Sequence, residues 1–276
     1  MQTVQSGTLW VVATPIGNRD DFSARAIAVL RAVAVVAAED TRHSRPLLTH
    51  HGIDTPLTAL HEHNEREAVD GLLRRLQAGD DVALISDAGT PLVSDPGYRL
   101  VHAARAAGLR VAPVPGACAA IAALSVGGLP SDRFVFEGFL PAKSMARRAR
   151  LGELAADTRT VIFYESPHRV AACLADLRDV FGAGREAVLA RELTKLFETV
   201  TGAPLGELAA RVAADPDQQR GECVLLVAGC ADVTEARVAE GRRVLALLRD
   251  ELPPARAAKL AAAISGAPRK ALYEGA

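Results

Sequence analysis

Ile85-Ser86-Asp87-Ala88-Gly89-Thr90-Pro91-Leu92-Val93-Ser94-Asp95-Pro96-Gly97 is the stretch whose reading decides the fold. It continues an apolar run, Val82-Ala83-Leu84, that reads as a strand, and it precedes a helical pattern from Tyr98 through Leu100, Val101 and Ala104. Strand, loop and helix in that order form the βα unit of a parallel sheet, where ligands bind beyond the carboxyl ends of the strands. Gly89 and Gly97 permit positive φ or close approach to a ligand, and Pro91 and Pro96 stiffen the chain. An ordinary connector is the plainer reading. Two Asp, two Ser and a Thr in a loop of this length favour a binding loop instead.

The pattern recurs twice. Leu9–Ala13 reads as a strand, Thr14-Pro15-Ile16-Gly17-Asn18 as a tight loop, and a helix follows from Asp21 or Ser23, both good N-caps. Val111-Ala112-Pro113-Val114 then leads through Pro115-Gly116-Ala117 into an Ala-rich helix ending near Leu124. None of the three loops is a phosphate cradle, because neither G-x-G-x-x-G after a strand nor G-x-x-x-x-G-K-[ST] occurs. Such lips suit a ligand read by backbone and shape.

Five motifs carry a family resemblance. Ala13–Asn18, Ala38-Glu39-Asp40-Thr41-Arg42, the Ile85–Gly97 loop, Phe163-Tyr164-Glu165-Ser166-Pro167-His168-Arg169 and Arg191-Glu192-Leu193-Thr194-Lys195 occur in this order. Together they resemble the small-subunit ribosomal RNA cytidine 2′-O-methyltransferases of the tetrapyrrole-methylase superfamily, from about Leu9 to Val227 and more weakly in the tail. The resemblance implies two α/β domains of tetrapyrrole-methylase type with the cofactor cleft between them, plus a small helical C-terminal tail. It implies S-adenosylmethionine as cofactor, small-subunit ribosomal RNA or the assembled subunit as partner, and a homodimer. On that reading the cofactor rests on Pro15, Ile16 and Gly17 of the first loop and on Asp87, Gly89, Thr90, Val93 and Ser94 of the second. Pro115, Gly116 and Cys118 of the third loop join them, with Tyr164 and Gly221 from the second domain.

The 276 residues exceed one typical domain. The strand pattern divides them into an N-terminal α/β domain (1–115), a second α/β domain (116–231) and a helical tail (232–276). In the tail, Val244–Leu248 and Ala255–Ile264 flank Pro253-Pro254. That break fits a helix-turn-helix or a packing and dimer-stabilising tail equally well. The four cysteines show no C-x-x-C pairing and sit in apolar contexts, so they read as free thiols of a reducing cytosol. No signal peptide is indicated at the N-terminus, and the longest uncharged stretch, Val111 to Ser131, is broken by Pro and Gly. A cytoplasmic protein without membrane contact is expected.

A net charge of −1 is at odds with RNA binding unless charge is segregated. Lys143, Arg147, Arg148 and Arg150, with no acid between them, are the candidate phosphate surface; a solvated helix face explains them equally well. Arg42, His61, Asn64, Arg169 and Arg191 are further RNA-contact candidates. For the chemistry, Asp40, Glu165 and Lys195 follow expected strand ends and are the candidate catalytic groups. Asp40 serves as an ordinary helix cap on the competing view. His61-Glu62-His63 opens a rival class, a metal-dependent hydrolase, since His-x-His puts two imidazoles on one face of a strand. No H-E-x-x-H supports it, and no metal is expected. A tetrapyrrole or small-molecule methylase on the same fold also competes with the RNA methyltransferase reading, as does a non-catalytic RNA-binding module.

Overall fold

The computed structural model describes residues 6–61, 65–231, 233–249 and 251–272, and the chain divides into two compact units. The first comprises Met1–Ala122 together with Glu192–Glu198, and the second Ala123–Arg191 with Thr199–Ala276. The division falls after Ala122, and a short later segment rejoins the first unit.

In the first unit β1 (Thr8–Val12), β2 (Val35–Ala38), β3 (Leu57–Ala59), β4 (Val82–Ile85) and β5 (Arg110–Val114) form a parallel sheet in the order β3-β2-β4-β1-β5. Period-two alternation sorts the side chains between its faces. Val12, Val36, Ala38, Ala83 and Ile85 pack with Ala26 and Leu30 of α1 (Ala24–Ala32) and Leu48 of α2 (Thr41–His50). Leu9, Val35, Ala37, Val82 and Leu84 pack with Val69, Leu72 and Leu76 of α3 (Glu65–Gln77) and Leu100 and Ala104 of α4 (Tyr98–Ala106). Both faces are covered, which is why these strands read as nearly continuous apolar runs. At the amino ends, Asp81 accepts hydrogen bonds from the Thr8 amide at 2.6 Å and the Trp10 indole at 3.2 Å, pinning β1 beside β4. Because β1 leads through α1 and β4 through α4, these adjacent strands send the chain to opposite faces. That is the switch point at which a doubly wound sheet presents its ligand site.

α5 (Ala119–Val126) carries the chain into the second unit. There β6 (Phe134–Phe139), β7 (Thr160–Glu165), β8 (Glu186–Arg191), β9 (Thr199–Pro204) and β10 (Cys223–Val227) lie in the order β6-β7-β10-β8-β9, with only β6 and β7 parallel. One face, with Val161, Phe163, Leu189 and Leu225, is covered by α6 (Ser144–Leu154), α7 (Val170–Phe181) and α8 (Leu205–Ala214). The tail is α9 (Val233–Leu248), α10 (Pro254–Ser265) and a closing 3-10 turn (Arg269–Leu272), with a core of its own around Val244, Leu245, Ala257, Ala258, Ala261 and Leu272. None of the four cysteines forms a disulfide among the described residues. Among the described residues no helix is long and apolar enough to cross a membrane.

Candidate active site

The three expected loops emerge from β1, β4 and β5, neighbours in the sheet, and hydrogen bonds stitch them into one lip. The Thr14 amide donates to Gly89 O at 2.8 Å, and the Gly89 amide donates back to Thr14 O at 3.2 Å. Thr90 Oγ1 donates to Ala117 O at 2.9 Å, tying the second loop to the third. Gly116 lies so close to β1 that a Cβ there would come within 2.9 Å of the Ala13 Cβ. Gly89 has φ +83°, with the Ile16 methyl 3.3 Å from where its Cβ would stand. Pro15 and Ile16 are buried, whereas Gly17, Ser94, Pro115 and Gly116 are exposed. Val93 and Cys118 are half-buried. Leu92 and Ser94 hold φ of +73° and +66° without being glycine. Left-handed backbone at ordinary residues costs about 1–3 kcal/mol each and concentrates at functional loops.

The segment Glu192–Glu198 closes one side of the lip. The Asn18 amide donates to Thr194 Oγ1 at 3.0 Å, and a Cβ on Gly17 would come within 2.4 Å of Lys195 Cγ, so the lysine stem lies across the first loop. Lys195 Nζ pairs with Glu192 Oε1 at 3.0 Å. Among the described residues, Glu192 and Thr194 are the other two non-glycine residues at positive φ, +53° and +66°. All four such residues thus sit on the lip or on the segment beside it.

Acidic groups complete this end of the sheet. Asp87 Oδ1 accepts the Asp40 amide at 3.1 Å, linking the loops after β2 and β4. Asp40 caps α2, accepting the Arg42 amide at 2.8 Å and its guanidinium at 3.2 Å, and these bonds hold its carboxyl below the usual range. Arg42 is otherwise open to solvent, 91% exposed. Asp95 is the residue the sequence reading missed. Burial pushes its carboxyl up to about 6, helped by the charges of Glu39 and Asp87 and opposed by a hydrogen bond with Ser86. The only signal was its place in the decisive loop, because Glu39 reaches it through the fold alone. A lip of exposed backbone flanked by carboxylates has the chemistry to hold a cationic ligand with polar ends.

The second unit gathers its candidates at one end of its own sheet. Cys223 pairs in register with Glu165 on one side and with Arg191 on the other, and Tyr164 stands edge-on to Phe136 and Phe139 at 4.9 and 5.7 Å. Gly221, φ +77°, turns the chain into β10. The expectation that Glu165 acts as a catalytic group is corrected here. Its side chain has no exposed surface, accepts the Ser166 amide at 2.8 Å and is ion-paired with Arg169 at 3.1 Å. Arg169 in turn donates to Leu140 O at 2.6 Å, so the pair braces the loop after β6. Arg191 is also buried, with Nη1 donating to Arg220 O at 3.2 Å.

The proposed phosphate stretch is corrected as well. Arg147 is only 4% exposed and pairs with Asp176 of α7 at 2.7 Å. Arg148 is shared between Asp176 at 3.2 Å and Asp179 at 2.9 Å, and Arg150 between Glu137 and Glu153. Of the four cations only the exposed Lys143 forms no ion pair among the described residues, so the stretch fastens α6 to its neighbours. His61 is half-buried just after β3, while His63 and Asn64 lie outside the described residues. Among the described residues no group of three His, Cys, Asp or Glu is disposed to hold a metal ion.

Comparison with known proteins places this architecture. The family model for tetrapyrrole (corrin/porphyrin) methylases matches residues 8–209, and that for the RsmI C-terminal HTH domain matches 235–276. The chain is 62% identical to the ribosomal RNA small subunit methyltransferase I of Pseudomonas aeruginosa, covering 98% of this chain and 97% of that protein. It is 55% identical to the protein of that name from Escherichia coli O157:H7, over 97% and 94% of the two chains. Among solved structures, the methyltransferase CobJ superposes with a TM-score of 0.60 at 22% identity, covering 82% of this chain and 95% of that one. Uroporphyrin-III-C-methyltransferase from Thermus thermophilus gives 0.55 at 20%, over 80% and 94%. The chain belongs to the tetrapyrrole methylase family and, within it, to the ribosomal RNA small subunit methyltransferase I proteins.

Proposed function

We propose that this chain transfers a methyl group from S-adenosylmethionine to the ribose 2′-hydroxyl of a cytidine in small-subunit ribosomal RNA. The observation that carries the reading is 61–62% identity over nearly the whole chain to proteins named for small-subunit ribosomal RNA methylation. The three-loop lip supports it: exposed backbone and carboxylates suit a ligand bearing a sulfonium and an ammonium. The likeness to the solved tetrapyrrole methylases, at 20–22% identity, shows the fold only.

S-adenosylmethionine, when bound, supplies a methyl group already activated for displacement. The chain's own task is to align the 2′-oxygen and accept its proton. Alignment by rigid loops is worth about 7–11 kcal/mol of barrier in favourable systems, and a general base about 10²–10⁴-fold. Pro15–Gly17, Asp87–Ser94 and Pro115–Cys118 hold the cofactor. Asp95, half-buried in the second loop beside Ser94 with its carboxyl raised by burial, is the base in preference to Asp40, whose oxygens are engaged by Arg42. Lys195, held by Glu192, acts as a cation that steadies the developing oxyanion. The enzyme works as a homodimer in the cytoplasm.

Incubating the purified chain with methyl-labelled S-adenosylmethionine and small-subunit ribosomal RNA, then digesting to nucleosides, tests the reading. Label in 2′-O-methylcytidine is expected. Label confined to a base, or none on either naked RNA or assembled subunits, refutes it.

A further inference from the structure

We propose that the exposed face of α10 with the turn after it, carrying Arg256, Lys259, Arg269 and Lys270, is the surface on which the phosphate backbone of the substrate RNA docks. This rests on the RNA methyltransferase reading and adds where the RNA is held. Residues 252–272 contain these four cations and no carboxylate, in a chain whose net charge is −1, so the rest of the chain carries −5. Asp250 and Glu251 precede this run and Glu274 follows it, so the segregation is confined to residues 252–272. The α6 stretch, with equal positive charge, spends Arg147, Arg148 and Arg150 on acids of its own unit. Among the described residues, by contrast, neither Arg256 nor Lys259 forms an ion pair.

Packing fixes which way α10 faces. Ala257, Ala258 and Ala261 are buried with Val244 and Leu245 of α9, which leaves Arg256, Lys259 and Ala263 on the opposite, exposed stripe at helical spacing. The body beneath is closely packed at Gly241, where a Cβ would stand 2.7 Å from Leu272 Cδ2 and 2.8 Å from Ser265 Oγ. Arg269 donates to Ala255 O at 3.1 Å, folding the closing turn back beside the first turn of α10 where Arg256 stands. Three features converge at that helix start: two guanidinium groups and the positive end of a helix that no side chain caps. In helix-turn-helix modules the second helix is the one presented to nucleic acid, and α10 is the second helix here. The acceptor that fits a mixed Arg/Lys stripe is a row of phosphates, since neither shape nor a bidentate geometry is imposed.

The test measures binding of a short small-subunit ribosomal RNA transcript by fluorescence anisotropy across a KCl series. Each phosphate contact contributes about 0.7 to the log–log salt slope on single strands. Arg256→Gln/Lys259→Gln should lower the slope by about 1.4, and adding Arg269→Gln and Lys270→Gln by about 2.8 in all. The swap Arg256→Lys/Lys259→Arg should keep the wild-type slope, because a phosphate reads charge. An unchanged slope in the double and quadruple variants overturns the proposal, as does an equal loss in the swap, which signals altered packing. Methylation of assembled subunits that falls in the quadruple variant while RNA affinity holds assigns the face to a protein partner and also overturns it. Should the wild-type chain transfer no methyl to ribosomal RNA, the underlying functional reading fails instead.

Discussion

Arg147→Ala separates a structural arginine from an RNA-binding one. In the native chain the Asp176 carboxylate accepts Arg147 Nε at 2.8 Å and lies 2.7 Å from its Nη2, beside Ser144 Oγ at 2.9 Å and Arg148 at 3.2 Å. Burial alone would raise the Asp176 carboxyl, but these donors outweigh it and hold it below the ordinary value. Removing one partner of a buried pair costs about 3–5 kcal/mol. Ser144 and Arg148 stay in place, so the low end applies, about 3 kcal/mol. In a chain of this size that lowers Tm by about 6–12 °C. The check is a urea titration followed by circular dichroism, with the RNA salt slope measured on the same preparation. Stability should fall while the slope stays put, and Arg147→Met/Asp176→Leu should recover most of the loss, since no charge is then left buried alone. The sign with pH follows: a depressed carboxylate stabilises above its unfolded pKa and loses that contribution as pH drops through the native value. Wild type should therefore lose its advantage over Arg147→Ala in acid. A loss under about 1 kcal/mol, or a slope that falls with the substitution, contradicts the structural assignment.

Asp95→Asn should cut turnover about 10²–10⁴-fold and remove the acid limb of the pH–rate profile near 6. A carboxyl raised in the folded state loses stability as pH climbs from its unfolded value to its folded one, so this variant should be more stable than wild type at pH 8 and not at pH 4. An active variant, or one equally stable at both, removes Asp95 from the chemistry. Gly89→Val forces a β-branched residue to φ +83° beside Ile16 and should abolish S-adenosylmethionine binding by calorimetry with the circular dichroism spectrum retained; wild-type affinity would sink the cofactor lip. Lys195→Met should lower turnover yet leave the acid limb in place, and disappearance of that limb would make the lysine the proton acceptor.

What the sequence discloses here is local. The βα units announce themselves because both sheet faces are covered, giving apolar runs such as Val82–Ile85 that end in Gly/Pro loops. Short edge strands escape: β3 has three residues, and β9 contains Gly202 and ends in Pro204, so pairing with β8 makes it a strand where its residues do not. The site divides the same way. The turns at Gly89 and Gly97 are legible because their positive φ is written in the residue type, whereas the same backbone at Leu92 and Ser94 is not. The arginines of α6 mislead because their neutralising acids, Asp176 and Asp179, lie about thirty positions onward on α7. Asp95 does not stand out among its loop neighbours, since its perturbation comes from burial and from Glu39 across the sheet.

The recruitment of Glu192–Glu198 into the first unit has a consequence for synthesis. Although the strands of the parallel sheet are complete once Val114 has been made, the bond from Asn18 to Thr194 and the seat of Lys195 on Gly17 wait for residues about eighty positions later. At about 5–20 residues per second roughly 4–16 s separate the synthesis of Val114 from that of Thr194, and until then the first loop lacks this partner. A fragment cut at Ala122 would remain in that condition. The contact between the first loop and Glu192–Glu198 therefore forms only after residues 123–191 of the second unit have been synthesised.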